Sequence, residues 1–235
     1  MTDLVAQKPQ LEDAGKRRIA TVILTFAIIY SLMFWAAGSL KWAAAWVFVI
    51  ISVLNTLTIG IYVAWRNPEL INERGRKSDK TKSWDKIFSA VFAPMIFLTP
   101  ITAGFDFRFS WSDMPMIITI LAYIGVMPGL ILPYWAMLAN KFLVTTVRLQ
   151  EERDQYVVQN GPYRFVRHPM YTGAVLTYLT MPLALGSWWA LIPGGIAIVS
   201  IIVRTALEDK TLQNELPGYT EYAKNTRYRL IPGLW

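Results

Sequence analysis

Residues 42–65 run for 24 positions without a charged side chain, and a helix of that length, at 1.5 Å per residue, crosses the ~30 Å hydrocarbon core of a bilayer with some tilt. Residues 19–38, 87–105 and 114–140 are uncharged in the same way. A further 36 residues between Arg167 and Arg204 contain no Asp, Glu, Lys or Arg. That is slightly short for two spans of ~20 residues each plus a turn, so it predicts a compact or tilted helical hairpin that breaks near Gly186 and Ser187. The chain therefore reads as an all-α integral membrane protein with about six transmembrane helices. A composition of 54% hydrophobic and 17% charged residues agrees. The first run follows Lys16-Arg17-Arg18 as a signal peptide would, but it is longer than a signal core and another span follows at once, so it reads as a retained helix. Pro94, Pro100, Pro128 and Pro133 predict bends, and Pro182 and residues 193–195 predict irregularity in the hairpin.

The charges between the runs give an orientation. Four Lys or Arg residues lie in the amino-terminal tail, seven in the connection 66–86, five in the central segment 141–167 and five from Arg204 onward. The alternate connections hold only Lys41 and Arg108. Because Lys and Arg accumulate on the cytoplasmic side, both termini and the central segment are expected there. The net charge of +7 is explained by topology and anionic lipid, and nucleic acid is not expected as a partner. With no cysteine there is no disulfide, thiolate nucleophile or zinc–thiolate site, and the single histidine, His168, leaves little from which to build a metal cluster. One domain, 1–235, is expected: residues 1–140 form four helices, and residues 141–235 carry the hairpin and an amphipathic tail. In that tail Pro217-Gly218 separates two short helices on the membrane surface.

Polar chemistry concentrates in residues 154–173, where Arg167-His168-Pro169 stands at the head of the last apolar stretch. Gly161-Pro162 favours a turn, Pro169 lacks a backbone donor, and Gly173 permits a helix or ligand to approach the backbone. His168 can contact a ligand, shuttle a proton or serve as a structural hydrogen-bonder. Arg167 can bind an anion or anchor the helix at the head groups. Farther on, Arg204, Glu208 and Leu212 recur at i, i+4 and i+8 on one helical face, with Asp209 beside them. Arg204 and Glu208 can form an intrahelical salt bridge of a few tenths of a kcal/mol. Acidic groups directly after a membrane run are costly unless they face protein, water or a cation, which makes a pocket the functional alternative.

Gly161-Pro162-Tyr163, Arg167-His168-Pro169-Met170-Tyr171-Thr172-Gly173, Arg204-x-x-x-Glu208-Asp209-x-x-Leu212 and Tyr219-x-x-Tyr222 occur in this order. Together they resemble the isoprenylcysteine carboxyl methyltransferase family of integral membrane enzymes, over about the last 85 residues. The resemblance implies an S-adenosylmethionine-dependent methyltransferase with a cytoplasm-facing cofactor pocket. It puts cofactor contacts at Gln155, Tyr156, Val157, Val158, Tyr163, His168, Pro169, Met170, Tyr171 and Glu208, and turns Arg204 toward the acceptor as the catalytic residue. Two positions depart from the family pattern: Gln155 stands where a histidine is common, and Asp209 replaces the second member of a usual glutamate pair.

Physical chemistry is consistent with those roles. Glu208 can pair with the cofactor's ammonium, Tyr163 and Tyr171 can pack against its ring or sulfonium, and the forked guanidinium of Arg204 can orient an oxygen-bearing group. No Gly-x-Gly-x-x-Gly turn is present, which argues against a soluble Rossmann-type methyltransferase. The expected partners are the lipid bilayer and a lipid-linked or hydrophobic methyl acceptor, a carboxylate by the resemblance, without a metal. The alternatives are a phospholipid or small-thiol methyltransferase, an NADPH-dependent reductase like the sterol reductases, and a noncatalytic scaffold. Against the reductase, Met170 and Ala174 stand where those enzymes tend to have Asn and an acidic residue.

Overall fold

A computed structural model of the protein describes residues 10–76 and 82–235. Residues 1–9 and 77–81, parts of the polar tail and of the charged connection, lie outside the described residues. Among the described residues the structure is α-helical without strands. The helices are α1 (Asp13–Ala37), α2 (Ala43–Arg66), α3 (Pro68–Gly75), α4 (Ser83–Phe109), α5 (Met116–Ala139), α6 (Pro169–Ala184), α7 (Leu191–Glu215) and α8 (Tyr219–Asn225).

Five of these, α1, α2, α4, α5 and α7, are long and apolar enough to cross a membrane, where about six were expected. The difference is α6, which has only 16 residues. The hairpin does break where expected: α6 ends at Ala184, Gly186 takes a left-handed φ of 76°, and α7 starts at Leu191. The bundle is apolar outside and carries polar groups within, as lipid solvent requires. Ile23, Ile61 and Trp65 stand on the surface, while Ser52, Asp85, Thr99 and Asp106 are buried.

Small residues decide how closely α5 and α6 pack. A Cβ on Gly173 of α6 would lie 2.5 Å from Pro133 Cδ and 2.9 Å from the carbonyl oxygen of Gly129, both on α5. Gly129 is the residue whose carbonyl loses its helical donor to Pro133. Gly173 thus admits a neighbouring helix to its backbone, one of the two uses its position suggested. At the end of the bundle away from the basic segments, Asp106 accepts hydrogen bonds from Ser112 N–H at 2.8 Å and from the hydroxyl groups of Ser112 and Ser187. This joins the α4–α5 link to the hairpin turn.

Two regions depart from the sequence reading. The connection 66–86 contains α3, which the charge run concealed. Asn67 caps it by accepting from Leu70 N–H at 3.3 Å, Pro68 occupies its first turn, and Leu70 and Ile71 are buried against Val63 and Met137. In the tail, α7 continues unbroken to Glu215 and absorbs the first of the two expected short helices, leaving α8 as the second. The tail also packs onto the rest of the protein: Tyr219, Tyr222 and Leu230 are buried. The N–H groups of Arg167 and His168 donate to the carbonyls of Tyr228 and Arg229, each at 2.9 Å. The physical reason is Asp209, whose buried carboxylate draws Arg229 and the Tyr219 hydroxyl of the tail inward.

Candidate functional site

At the end of the bundle that carries the basic segments, a cavity is enclosed by the loop 140–158, the start of α6, the last turns of α7 and α8. Gln155, Tyr156, Val157, Val158, Tyr163, His168, Pro169, Met170, Tyr171, Arg204 and Glu208 all line it. Every candidate from the sequence is therefore brought to one place, although they come from a loop, a turn and two helices.

Their environments differ. Gln155 faces the cavity but its Oε1 accepts from Gln150 N–H at 2.8 Å, so its amide oxygen braces the loop. Tyr156 is largely exposed and meets Phe142 edge-on at 5.1 Å. Val158 and Met170 belong to the apolar floor with Phe142, Leu212 and Leu216. Tyr163 is buried, its hydroxyl accepts from Asn140 Nδ2 at 3.2 Å, and burial raises its phenol above the ordinary range. Tyr222 donates to the Tyr163 carbonyl at 2.7 Å, and burial pushes its phenol up to about 12.

Two buried charge clusters lie on α7. The first surrounds Asp209, whose side chain is wholly buried. Arg167 donates to it through Nε and Nη2 at 2.8 and 3.1 Å, Arg229 Nε at 2.8 Å, Tyr219 at 3.0 Å and Gln213 at 2.7 Å. His168 Nε2 lies 3.3 Å from the same carboxylate. Arg167 spends its remaining nitrogen, Nη1, on the carbonyls of Ala223, Thr226 and Arg227. Arg167 is thus a clamp between α7 and the tail rather than a head-group anchor, and His168 acts as a structural hydrogen-bonder at the cavity wall.

The second cluster is open. Tyr171 donates to Glu208 Oε2 at 2.6 Å. Arg204 Nη2 donates to the Thr145 carbonyl at 3.0 Å and stands 3.1 Å from Asp85 Oδ1, while its Nε is 3.9 Å from Glu208 Oε2. The guanidinium lies over the rings of Phe88 at 4.3 Å and Tyr171 at 5.5 Å. Arg204 Nε and Asp85 Oδ1 are buried without a hydrogen-bond partner among the described residues. Both atoms lie in ion pairs, with Glu208 and with Arg204 Nη2, but their hydrogen-bonding capacity is unused, which is uncommon for buried polar groups.

Sequence reasoning missed Asp85, Phe88 and Asn140. A signal for Asp85 was present: it is an acidic residue two positions before the uncharged run that starts at Ile87, as Glu208 lies about one turn past the run that ends at Val203.

With this geometry the relationship of the chain can be stated. Residues 117–216 match the phospholipid methyltransferase family. No curated protein matches the chain. That family is of the integral membrane methyltransferase type that the motifs resemble. It spans α5, the cavity loop, α6 and α7, and so contributes Arg204, Glu208 and the Tyr163-to-Tyr171 wall. Outside the phospholipid methyltransferase match lie Asp85 and Phe88 on α4 and Tyr219 and Tyr222 on α8. Those residues complete the site from the flanking parts of the chain.

Proposed function

We propose that the protein is an S-adenosylmethionine-dependent methyltransferase acting on a lipid-linked or hydrophobic acceptor, with its cavity and both termini on the cytoplasmic side. The observation that carries this reading is the position of Arg204. It lines the polar cavity and also ends an apolar groove between α4 and α7, walled by Ile87, Val91, Ile192, Val199 and Val203. An acceptor with an apolar chain in that groove presents its head group to the guanidinium.

The donor set suits the cofactor. Glu208 offers a carboxylate to its ammonium, Tyr163 and Tyr171 offer aromatic faces to its ring or sulfonium, and Gln155 to Val158 with Pro169 and Met170 form the surrounding wall. When bound, the cofactor supplies an electrophilic methyl group on a sulfonium. The cavity itself is narrow, ≈ 100 Å³. A nucleoside-sized ligand therefore requires the loop 140–158 to stand farther out, and loading should change hydrogen exchange in that loop.

Methyl transfer is a displacement in line with the breaking bond, so the protein's task is placement. A carboxylate acceptor needs no general base, which fits a site where His168 Nε2 is already taken up by Asp209 and Tyr219. The matched family's description favours a second acceptor, a phospholipid. Equilibrium binding of S-adenosylmethionine and of NADPH to the detergent-purified protein tests the cofactor, with the former expected to bind. Transfer of a tritiated methyl group to N-acetyl-S-farnesylcysteine or to phosphatidylethanolamine vesicles then tests the acceptor. Binding of NADPH alone overturns the reading.

A further inference from the structure

We propose that Asp85, on the first turn of α4 and outside the matched stretch, is a positioning residue that holds the Arg204 guanidinium off Glu208 and so leaves the Glu208 carboxylate to the cofactor's ammonium. The inference rests on the cofactor reading above. Its geometric basis is the choice Arg204 makes between two carboxylates.

Arg204 and Glu208 are one turn apart on α7, where opposite charges ordinarily pair. Here Arg204 Nε and Glu208 Oε2 stand 3.9 Å apart, a loose ion pair without a hydrogen bond, and Nε has no hydrogen-bond partner among the described residues. The same guanidinium is anchored instead toward α4 and the cavity loop. Nη2 is 3.1 Å from Asp85 Oδ1 and 3.0 Å from the Thr145 carbonyl, and Phe88, on the same face of α4 as Asp85, supplies the flat surface 4.3 Å beneath. Asp85 cannot easily turn away, because its Oδ2 accepts the Val147 N–H at 3.0 Å and its side chain is 1% exposed. Glu208 meanwhile takes only a neutral hydroxyl, from Tyr171. If Asp85 is neutral, the nearest counter-charge for Arg204 is Glu208, and the guanidinium competes with the cofactor for it.

Calorimetric titration of the full-length purified protein with S-adenosylhomocysteine tests this without turnover, since that probe keeps the ammonium and cannot donate a methyl group. Asp85→Asn keeps the shape and loses the charge. Its affinity should fall roughly 10-fold, the scale of one charge-assisted hydrogen bond. Arg204→Gln removes the competitor, so Asp85→Asn added to it should have no further effect, a non-additivity that a merely structural staple does not produce. Asp85→Glu, which keeps the charge, should bind nearly as the parent does. Unaltered affinity in a folded Asp85→Asn protein overturns the proposal. So does a loss in the double variant relative to Arg204→Gln alone, a comparison that decides the matter even if Asp85→Asn alone fails to fold. Failure of the parent protein to bind either S-adenosylmethionine or the probe overturns the cofactor reading instead.

Discussion

Asp209 and Glu208 are adjacent on α7, yet their surroundings are opposite. Asp209 receives donors from Arg167, Arg229, Tyr219 and Gln213 and is sealed from solvent. Glu208 receives one hydroxyl, and across from it Arg204 Nε and Asp85 Oδ1 make no hydrogen bond among the described residues. A saturated carboxylate has nothing left to offer a ligand, so its role is to hold elements together. An undersaturated one beside a cavity keeps its capacity for something that arrives later. Two adjacent acidic residues thus differ, one saturated by protein donors and one facing the cavity, and the difference follows from which side of the helix each faces.

The strongest test of this contrast is Asp209→Ala, which leaves the buried Arg167 without its counter-charge, along with the one-third exposed Arg229. Removing one partner of such a buried network costs about 3–5 kcal/mol. The variant should therefore be recovered unfolded or with a sharply lowered melting temperature. A stable Asp209→Ala protein with lost cofactor binding would erase the division. Next in size, Arg204→Lys retains the charge but loses the fork. Methyl transfer should fall on the order of 100-fold, with cofactor affinity far less changed, as expected from misplacing reacting groups. Parallel turnover and calorimetry on one preparation check the split.

Glu208→Gln should leave the melting temperature nearly unchanged and weaken S-adenosylmethionine binding by about 1.5–3 kcal/mol, the scale of a hydrogen bond to a charged group. A folded variant with normal affinity would make Glu208 as structural as its neighbour. The smallest effect belongs to the tail. Tyr222→Phe removes the bond to the Tyr163 carbonyl and should cost about 0.5–1.5 kcal/mol. The Tyr222 phenol is raised from 10.0 to about 12 by burial, so the fold favours its neutral form. Its stabilising contribution is complete below pH 10 and is lost as the pH rises toward about 12. Thermal melts on either side of pH 10 should show a shallower alkaline decline in Tyr222→Phe.

The apolar runs made most of the helices legible, because a stretch free of charge over two dozen residues has few other uses. What stayed hidden was local or distant. The helix α3 carries the signs of a helix, Asn67 before Pro68, Glu69 early, Arg74 late and Gly75 last, but at eight residues among many charges it has no periodic face long enough to read. The wall of the cavity was legible because its residues cluster in two short segments. Asp85 was not, since its partner Arg204 lies three helices later and only the α4–α7 contact joins them. The saturation of Asp209 depends on Arg167, Tyr219 and Arg229, which meet only once the tail has folded back, so neighbouring acids looked equivalent in sequence.

The 16 residues of α6 rise only about 24 Å, some 6 Å less than a typical ~30 Å hydrocarbon layer. Pro169 opens this helix at the cavity wall and Ala184 ends it, two residues before the left-handed Gly186, so a hairpin crossing the full hydrocarbon layer calls for a thinner bilayer or for a wall beneath the head-group plane. Under the proposed function, an amphiphilic acceptor would then meet Arg204 while its tail is still dissolved among its neighbours, with no extraction step into water. The thickness of the host membrane then sets the depth of the cavity, so the same protein in short-chain and long-chain lipids holds it at two different levels.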